Sequence, residues 1–201
     1  MNVQLKDCFP TPIYSSYLDI DTNTYIEKVY QEESKSKGRR RSNTGWQSLD
    51  IDVGQYKELF DKINPHIVEY YKIFNCSAEL HMSDAWFNIN RYKDMNATHH
   101  HASSAICGVL YFKVPENSGD IGFENPNPFI GSTWIQGTTD DTLNKYNAET
   151  IYYKSEEKLL ILFPGYLRHV VRPNMSNKDR ISMAFNTNVF FKGVLNEPRR
   201  V

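Results

Sequence analysis

The segment NATHHHASS (residues 96–104) places three of the chain's six histidines side by side, directly before an apolar run at residues 105–114. A fourth histidine, His169, follows a second, largely apolar run at residues 158–163. Short apolar runs bounded by turn residues are typical of buried strands. The four histidines are therefore predicted to lie at strand ends, where side chains from distant parts of the sequence can meet. This arrangement predicts a metal site built on a β-barrel.

A period-two alternation of apolar and polar residues indicates strands around this segment. It is clearest at residues 78–92, where the two faces of a strand can be told apart. Proline- and glycine-rich turn signals separate the apolar runs, and no helical pattern lies between them, which favours an antiparallel sandwich or barrel. Further strands are predicted at residues 105–114, 120–123, 150–154, 158–163, 167–172 and 180–191.

The N-terminal third has a different character. After an extended segment at residues 9–14, apolar residues recur at helical spacing in residues 24–36 and 55–75, which predicts two amphipathic helices. Pro65 lies inside the second helix, so we expect a kink there or a restart capped by Asn64. We interpret the chain as one domain, 1–201, with a supporting N-terminal strand and helices (1–75) and a barrel core (76–191).

Composition limits the classes of function. With 201 residues, 40% hydrophobic and 23% charged, the chain is typical of a globular domain. The net charge of −1 gives no electrostatic reason for binding nucleic acid or an anionic membrane. Three widely spaced cysteines argue against a disulfide framework. No apolar stretch reaches the roughly 18 residues needed to span a bilayer and the N-terminus has no signal-peptide pattern, so we expect a cytoplasmic protein. The helical third could form a homodimer interface, although no pattern requires one.

Strand alternation divides the histidine cluster. Residues i and i+2 of a strand point to the same side, so His99 and His101 can face one point while His100 faces away. A third ligand must then come from elsewhere in the sequence, and His169 is the natural candidate. Imidazole ligands suit iron, zinc, copper or nickel.

These pieces, taken in order along the chain, resemble the Fe(II)- and 2-oxoglutarate-dependent oxygenases. The resemblance is to their prolyl 4-hydroxylase-related branch, and within it to a small family from bacteria and phages. The matching motifs are FPTPI (9–13), WFNIN (86–90), HHH leading into CGVLY (99–111), GDIGF (119–123), FPGYLRHVV (163–171) and RISMAFN (180–186).

The resemblance implies a mainly β fold, a double-stranded β-helix (a cupin-like jelly roll) flanked by two or three α-helices. It also implies Fe(II) at one mouth of the barrel, with O2 as oxidant. The superfamily's metal ligands are His-x-Asp/Glu and a later His. His99 matches the first ligand and His169 the last, and His101 stands at the carboxylate position.

Two alternatives to this ligand set stay open at the level of sequence. A carboxylate from Asp84, Asp94 or Asp120 could be brought to the metal by folding. Alternatively, His100-x-Ala102 resembles the arrangement in iron halogenases, where a small residue replaces the carboxylate.

The same resemblance implies a site for 2-oxoglutarate. Arg180 lies where the family places the residue that holds the distal carboxylate, and an arginine suits this role because it is permanently charged and bidentate. Ser182 shares its strand face and can add a hydroxyl donor. Tyr111 and Asn90 are further candidates for co-substrate contacts.

The substrate is less defined by the sequence. Trp86, Asn88 and Trp46 are candidate substrate contacts, and Trp134 with the basic loop at residues 38–41 could extend the same groove. The leading hypothesis is a dioxygenase that hydroxylates a peptide (prolyl-like) or small-molecule substrate and releases succinate and CO2. The alternatives are a three-histidine cupin-type metalloenzyme that does not use 2-oxoglutarate, and a non-catalytic jelly-roll binding module.

Overall fold

A computed structural model describes residues 3–39, 43–130 and 139–190 as two facing antiparallel sheets with two helices on one outer side. The helices are α1 (Thr22–Lys35) and α2 (Lys57–Lys72). The strands are β1 (Tyr14–Tyr17), β2 (Trp46–Gln47), β3 (Glu79–Asn90), β4 (Asn96–His99), β5 (Ile106–Lys113), β6 (Ile121–Glu124), β7 (Thr150–Tyr153), β8 (Leu159–Pro164), β9 (His169–Val171) and β10 (Arg180–Phe190). The predicted jelly roll, mainly β with N-terminal helices, is confirmed.

The two sheets differ in size and in what covers them. The major sheet has six strands in the order β1-β8-β5-β10-β3-β2, and the minor sheet has four in the order β4-β9-β6-β7. One apolar cluster joins the sheets and includes Val109, Phe123 and Ile161. A second cluster joins the major sheet to the helices, so the helices close the outer side of that sheet.

Strand β10 shows how the sequence separates these two environments. Ile181, Met183 and Phe185 are fully buried in the cluster that faces the helices. The residues that alternate with them face the minor sheet, and they include the buried polar side chains of Arg180 and Ser182. Because alternate residues of a strand point to opposite sides, one strand supplies both an apolar core and a polar cavity wall.

The helices follow the predicted pattern with one difference. The side chain of Asp21 accepts a hydrogen bond from the backbone of Asn23 and so caps α1. Helix α2 continues through Pro65 without a restart, so the prediction of a new helix capped by Asn64 is wrong. Its apolar face, which includes Ile63 and Ile67, is buried against the major sheet. Burial of each such side chain is worth about 1.5–3 kcal/mol, and together these exceed the cost of one proline, about 3 kcal/mol. Neither α1 nor α2, the two α-helices of the described residues, has the length and apolarity needed to cross a membrane.

Strand predictions are confirmed for the longer elements and incomplete for the short ones. The strand predicted at residues 78–92 corresponds to β3. The extended N-terminal segment was predicted at residues 9–14, whereas the strand β1 lies at Tyr14–Tyr17, and the two-residue strand β2 was not predicted. Both pair at the edges of the major sheet. Their hydrogen bonds to a neighbouring strand define them, and such short segments have too little local pattern to be predicted precisely.

Gly108 on β5 is a position where the core tolerates no side chain. A Cβ atom there would lie 2.1 Å from Cζ of Phe185. We expect Gly108→Ala to lower the free energy of unfolding by about 1–3 kcal/mol because of overpacking, measured by urea denaturation. Phe185→Leu should relieve the clash, so the double variant should be less destabilised than the sum of the two single variants. Val68→Ala, on the exposed side of α2, is the control. Additive effects of the two substitutions would contradict this account.

Candidate metal centre and its cavity

Three histidines meet at one end of the space between the sheets. His99 ends β4 and pairs directly with His169, which begins β9. With His101 they form a group in which one candidate ligand atom from each residue lies within 4.8 Å of the others. Transition metals such as iron and zinc bind imidazole nitrogens arranged in this way. The structure thus brings together the three residues that the sequence predicted as ligands.

His101 reaches this group by a route that strand alternation did not predict. Strand β4 ends at His99, so His99 and His101 do not share a strand. Instead the backbone N–H of His101 donates to the carbonyl of Gly165 at 2.9 Å, and the N–H of Gly165 donates to the carbonyl of Ala105 at 3.0 Å. A Cβ atom at Gly165 would lie 2.1 Å from the carbonyl oxygen of Ser104. The turn after β8 therefore has to carry a glycine for the histidine turn to dock on it.

Backbone carbonyls fix which nitrogen two of the histidines offer. Nδ1 of His99 lies 2.7 Å from the carbonyl oxygen of Ala97, and Nδ1 of His169 lies 2.9 Å from that of Leu167. A carbonyl oxygen can only accept, so each Nδ1 carries the hydrogen and donates it. The lone pair of each ring is then on Nε2, which is available to a metal. Hydrogen bonds of this kind orient ligating histidines in metal sites.

Burial keeps these two imidazoles neutral. Desolvation lowers the pKa of His99, and it lowers the pKa of His169 to about 3, with a further contribution from the neighbouring His99 charge. A neutral imidazole has a free lone pair, and a protonated one does not. Desolvation therefore keeps the lone pairs free for a cation, and the geometry brings them together.

Carboxylates do not join this cluster within the described residues, where the group of potential ligands consists of the three histidines. Asp94 accepts from Thr44 and from the backbone of Arg91, and Asp120 accepts from the backbone of Ser155. His100 is exposed and stands outside the cluster, which does not favour the halogenase-like register.

Asp84 approaches the cluster indirectly, through a residue that sequence reasoning missed. Asn186 on β10 donates to Oδ2 of Asp84 at 3.0 Å, and its Nδ2 lies 3.5 Å from Nδ1 of His101. A carboxylate connected in this way orients a ligand without binding the metal itself. The RISMAFN motif contains Asn186, but only the register of β10 against β3 shows that it faces Asp84.

Arg180 lies at the other end of the same cavity and is 1% exposed. Its Nη1 donates to the carbonyl of Ser118, to that of Gly119 at 3.1 Å and to that of Arg172 at 3.3 Å. Its Nη2 is buried and has no hydrogen-bond partner among the described residues. Burial lowers the pKa of this guanidinium, although an arginine stays charged. A buried guanidinium whose Nη2 has no partner fits a carboxylate ligand.

Cross-strand pairing places the other candidate co-substrate contacts next to Arg180. Arg180 pairs with Asn90, and Ser182 pairs with Tyr111 on one side and with Asn88 on the other. All five line a cavity of about 310 Å³ that also contains the three histidines. Burial raises the pKa of the Tyr111 phenol, so its hydroxyl is a neutral donor. The donor set therefore fits a small dicarboxylate between Arg180 and a metal.

The candidate substrate residues separate into two groups. Trp86 and Asn88 line the cavity, and the ring of Trp86 lies 6.0 Å from that of His101. Trp46 does not line the cavity, contrary to our expectation. It pairs with Ile89 and therefore packs toward the helices. There its Nε1 donates to the carbonyl of Ser36 at 3.1 Å. Its neighbour Gln47 faces the cavity instead. Trp134 and residues 40 and 41 of the basic loop lie outside the described residues.

Comparison with known proteins gave a family match over the barrel. The sequence profile of the family "Putative 2OG-Fe(II) oxygenase" matches residues 84–186. This region contains the three histidines and Arg180 together with the strands that carry them. Comparison with curated protein sequences gave no match.

Solved structures share the fold at low sequence identity. A prolyl-4-hydroxylase from Pseudomonas putida has 10% identity and a TM-score of 0.61, over 89% of this chain and 93% of that chain. HygX from Streptomyces hygroscopicus, solved with nickel and 2-oxoglutarate bound, has 10% identity and a TM-score of 0.59, over 90% and 84%. The α-ketoglutarate-dependent epimerase SnoN from nogalamycin biosynthesis has 12% identity and a TM-score of 0.63, over 89% and 78%.

Removal of any one of the three histidines should weaken metal binding. We expect His99→Ala, His101→Ala and His169→Ala each to lower affinity for a divalent transition metal. Loss of a residue that only supports a metal ligand lowers affinity about 10–100-fold, and loss of a ligand itself should lower it more. Metal content after dialysis and calorimetric titration measure this. His81→Ala, a change on the exposed part of β3, and His100→Ala should retain metal. Loss of metal in His100→Ala with retention in His101→Ala would contradict the assignment.

Proposed function

The chain belongs to the 2OG-Fe(II) oxygenase family, and from this premise we propose that it is a dioxygenase whose Fe(II) is held by His99, His101 and His169 and whose 2-oxoglutarate is anchored by Arg180. Members of this family use Fe(II), 2-oxoglutarate and O2. The proposed reaction is hydroxylation of a peptide (prolyl-like) or small-molecule substrate, with release of succinate and CO2.

One observation carries the proposal. The cavity between the sheets has a cluster of three imidazoles at one end and an unpartnered buried guanidinium nitrogen at the other. The imidazole cluster can bind a metal, and the guanidinium nitrogen can donate to a carboxylate. 2-Oxoglutarate has a keto acid that chelates iron and a second carboxylate at the far end, so a single molecule can use both. An ordinary structural arginine would have its donors satisfied by the protein.

The roles of the individual side chains follow from their contacts. His99 and His169 would hold the metal through Nε2, because their Nδ1–H groups donate to backbone carbonyls. Arg180 and the hydroxyl of Ser182 orient the distal carboxylate. When bound, Fe(II) supplies the redox chemistry that couples oxidative decarboxylation of 2-oxoglutarate by O2 to oxidation of the substrate. The protein supplies binding, orientation and exclusion of water.

The substrate class is the less constrained part of the proposal. A prolyl-4-hydroxylase and the epimerase SnoN from nogalamycin biosynthesis share the fold, so a peptide and a small molecule are both hypotheses for the substrate. Both proteins are less than 25% identical to this chain, so they support the fold and not a particular substrate.

A second candidate function has one observation in its favour. The cluster is made of three histidines without a carboxylate among the described residues, as in cupin-type metalloenzymes that do not use 2-oxoglutarate. Such an enzyme would bind metal, yet its activity would not depend on Arg180. The unpartnered Nη2 of Arg180 argues against it, and the family assignment favours an enzyme over a non-catalytic binding module.

Turnover of 2-oxoglutarate tests the proposal directly. With Fe(II) and O2 present, the wild-type protein should convert 2-oxoglutarate slowly to succinate even without substrate, as detected by succinate assay or NMR. Arg180→Lys keeps the charge but loses the planar pair of donors, so the KM for 2-oxoglutarate should rise about tenfold or more. Ser182→Ala should raise it by a smaller factor, about threefold.

The controls separate binding from folding. Ser15→Ala makes the same chemical change on exposed β1 and should leave the KM unchanged. Metal content and thermal unfolding should be measured for each variant, because Arg180 also bonds three backbone carbonyls. A wild-type protein that holds iron but neither binds nor consumes 2-oxoglutarate would refute the proposal and favour the cupin-type alternative.

A further inference from the structure

One side of the cavity is built from carboxamide side chains. Gln47, Asn88, Asn90 and Asn96 line it from β2, β3 and β4, and we call these four residues the amide wall. Three of them are deeply buried, with Gln47 at 4%, Asn88 at 5% and Asn90 at 2% exposure. Buried carboxamides are costly unless their donors and acceptors are matched. Their hydrogen bonds therefore indicate which groups are left for a ligand.

A backbone group sets the direction of every hydrogen bond in this network. The N–H of Gly45 donates to Oδ1 of Asn43 at 2.7 Å, so the other atom of that amide, Nδ2, must be the donor toward Oδ1 of Asn88 at 3.3 Å. Gln47 also donates to Oδ1 of Asn88, through Nε2 at 3.2 Å. Because Oδ1 of Asn88 can only accept, the amide of Gln47 cannot be turned over.

This leaves one acceptor without a partner. Oε1 of Gln47 is buried and has no hydrogen-bond partner among the described residues. Oδ1 of Asn186, which lines the same cavity, is a second buried acceptor in this condition. Buried acceptors in this state are an exception in folded proteins, and a ligand that brings a donor removes their desolvation cost.

Charge restricts the ligand further. Among the described residues that line the cavity, Arg180 is the only one with a permanent charge. Arg39 packs against the ring of Trp86 but is paired with Asp50. If Fe(II) and 2-oxoglutarate are bound, their charges together with that of Arg180 sum to +1, so the described lining offers no counter-charge to an ammonium group. Burial of an unpaired charge there would be unfavourable.

We propose that the amide wall is the substrate subsite and that it takes an uncharged group with a hydrogen-bond donor, an amide N–H or a hydroxyl, at Oε1 of Gln47. Gln47 is then a specificity-determining residue. The inference rests on the proposed function, because it treats Arg180 as occupied by 2-oxoglutarate. It excludes an ammonium group at this subsite because of its charge, and it excludes a carboxylate or a purely hydrocarbon group because neither has a donor for Oε1 of Gln47.

Two probes that differ by a single N–H group test the subsite. The full chain, labelled with ¹⁵N and loaded with Zn²⁺ and 2-oxoglutarate, is titrated with N-methylacetamide and with N,N-dimethylacetamide, which lacks the N–H. The first should shift the side-chain amide signals of Gln47 in NMR spectra, and the second should not. Ethylene glycol, in a separate titration, distinguishes a hydroxyl donor from an amide donor. Methylammonium should not bind at this site.

Matched variants place the effect at Gln47. Gln47→Met removes the acceptor at similar volume and should weaken binding of the donor probe about tenfold, as expected for one hydrogen bond to a buried acceptor. Gln31→Met makes the same change on the exposed side of α1 and should have no effect. Gln47→Glu keeps the acceptor and adds a negative charge but loses the Nε2 donor to Asn88, so it should gain binding of methylammonium, which brings both a counter-charge and donors. It provides an independent test if Gln47→Met does not fold.

The outcomes separate this inference from the proposed function. Equal binding of the two acetamides, or methylammonium binding to the wild type as strongly as N-methylacetamide, would overturn the subsite. So would failure of both N-methylacetamide and ethylene glycol to shift Gln47 in a protein that binds 2-oxoglutarate by calorimetry. In that last case the proposed function stands. If calorimetry shows no 2-oxoglutarate binding, the proposed function fails, and the charge argument fails with it.

Discussion

The alternation of side chains along β10 is the constraint on which the rest of the structure depends. Ile181, Met183 and Phe185 are packed under the helices, which fixes the strand in register against β3 and β5. The side chains that alternate with these three residues must then lie on the opposite face of the sheet. Arg180 and Ser182 must face the cavity, because a shift by one residue would bury the polar face among apolar side chains. Apolar packing on one side of the sheet thus positions the polar chemistry on the other.

The candidate metal centre depends on the docking of two turns rather than on a single strand. The turn at Gly165 receives the backbone of His101, while His99 and His169 are held by pairing of β4 with β9. All three imidazoles can therefore approach one point although the sequence separates them widely. With three neutral histidines as ligands, the candidate site would have one negative charge fewer than a site with two histidines and a carboxylate. Asp84, connected to His101 through Asn186, keeps a carboxylate nearby without using it as a ligand.

Some polar atoms of the cavity have hydrogen-bond partners within the protein, and others have none. Nη1 of Arg180 has three carbonyl partners and Nη2 has none, and the amide of Gln47 is satisfied at nitrogen but not at oxygen. In each side chain the satisfied atom holds the orientation, and the other atom is left for a ligand. A dicarboxylate and a neutral donor would complete these two sets of bonds. Recognition in this cavity would then depend on fixed, desolvated groups, which discriminate strongly between ligands that match them and ligands that do not.

The sequence by itself determined the strands with long alternating or apolar patterns, the two helices, and the identity of His99, His101, His169 and Arg180 as residues that meet in one cavity. These follow from local periodicity and from motif order. It did not determine the short edge strand β2, and for that reason Trp46 was expected in the cavity and Gln47 was overlooked. Only the tertiary structure decided that His101 docks on the turn at Gly165 and that Asn186 faces Asp84. The physical reason is that the register of one strand on another, and the docking of one turn on another, depend on hydrogen bonds between residues far apart in sequence, which no local pattern encodes.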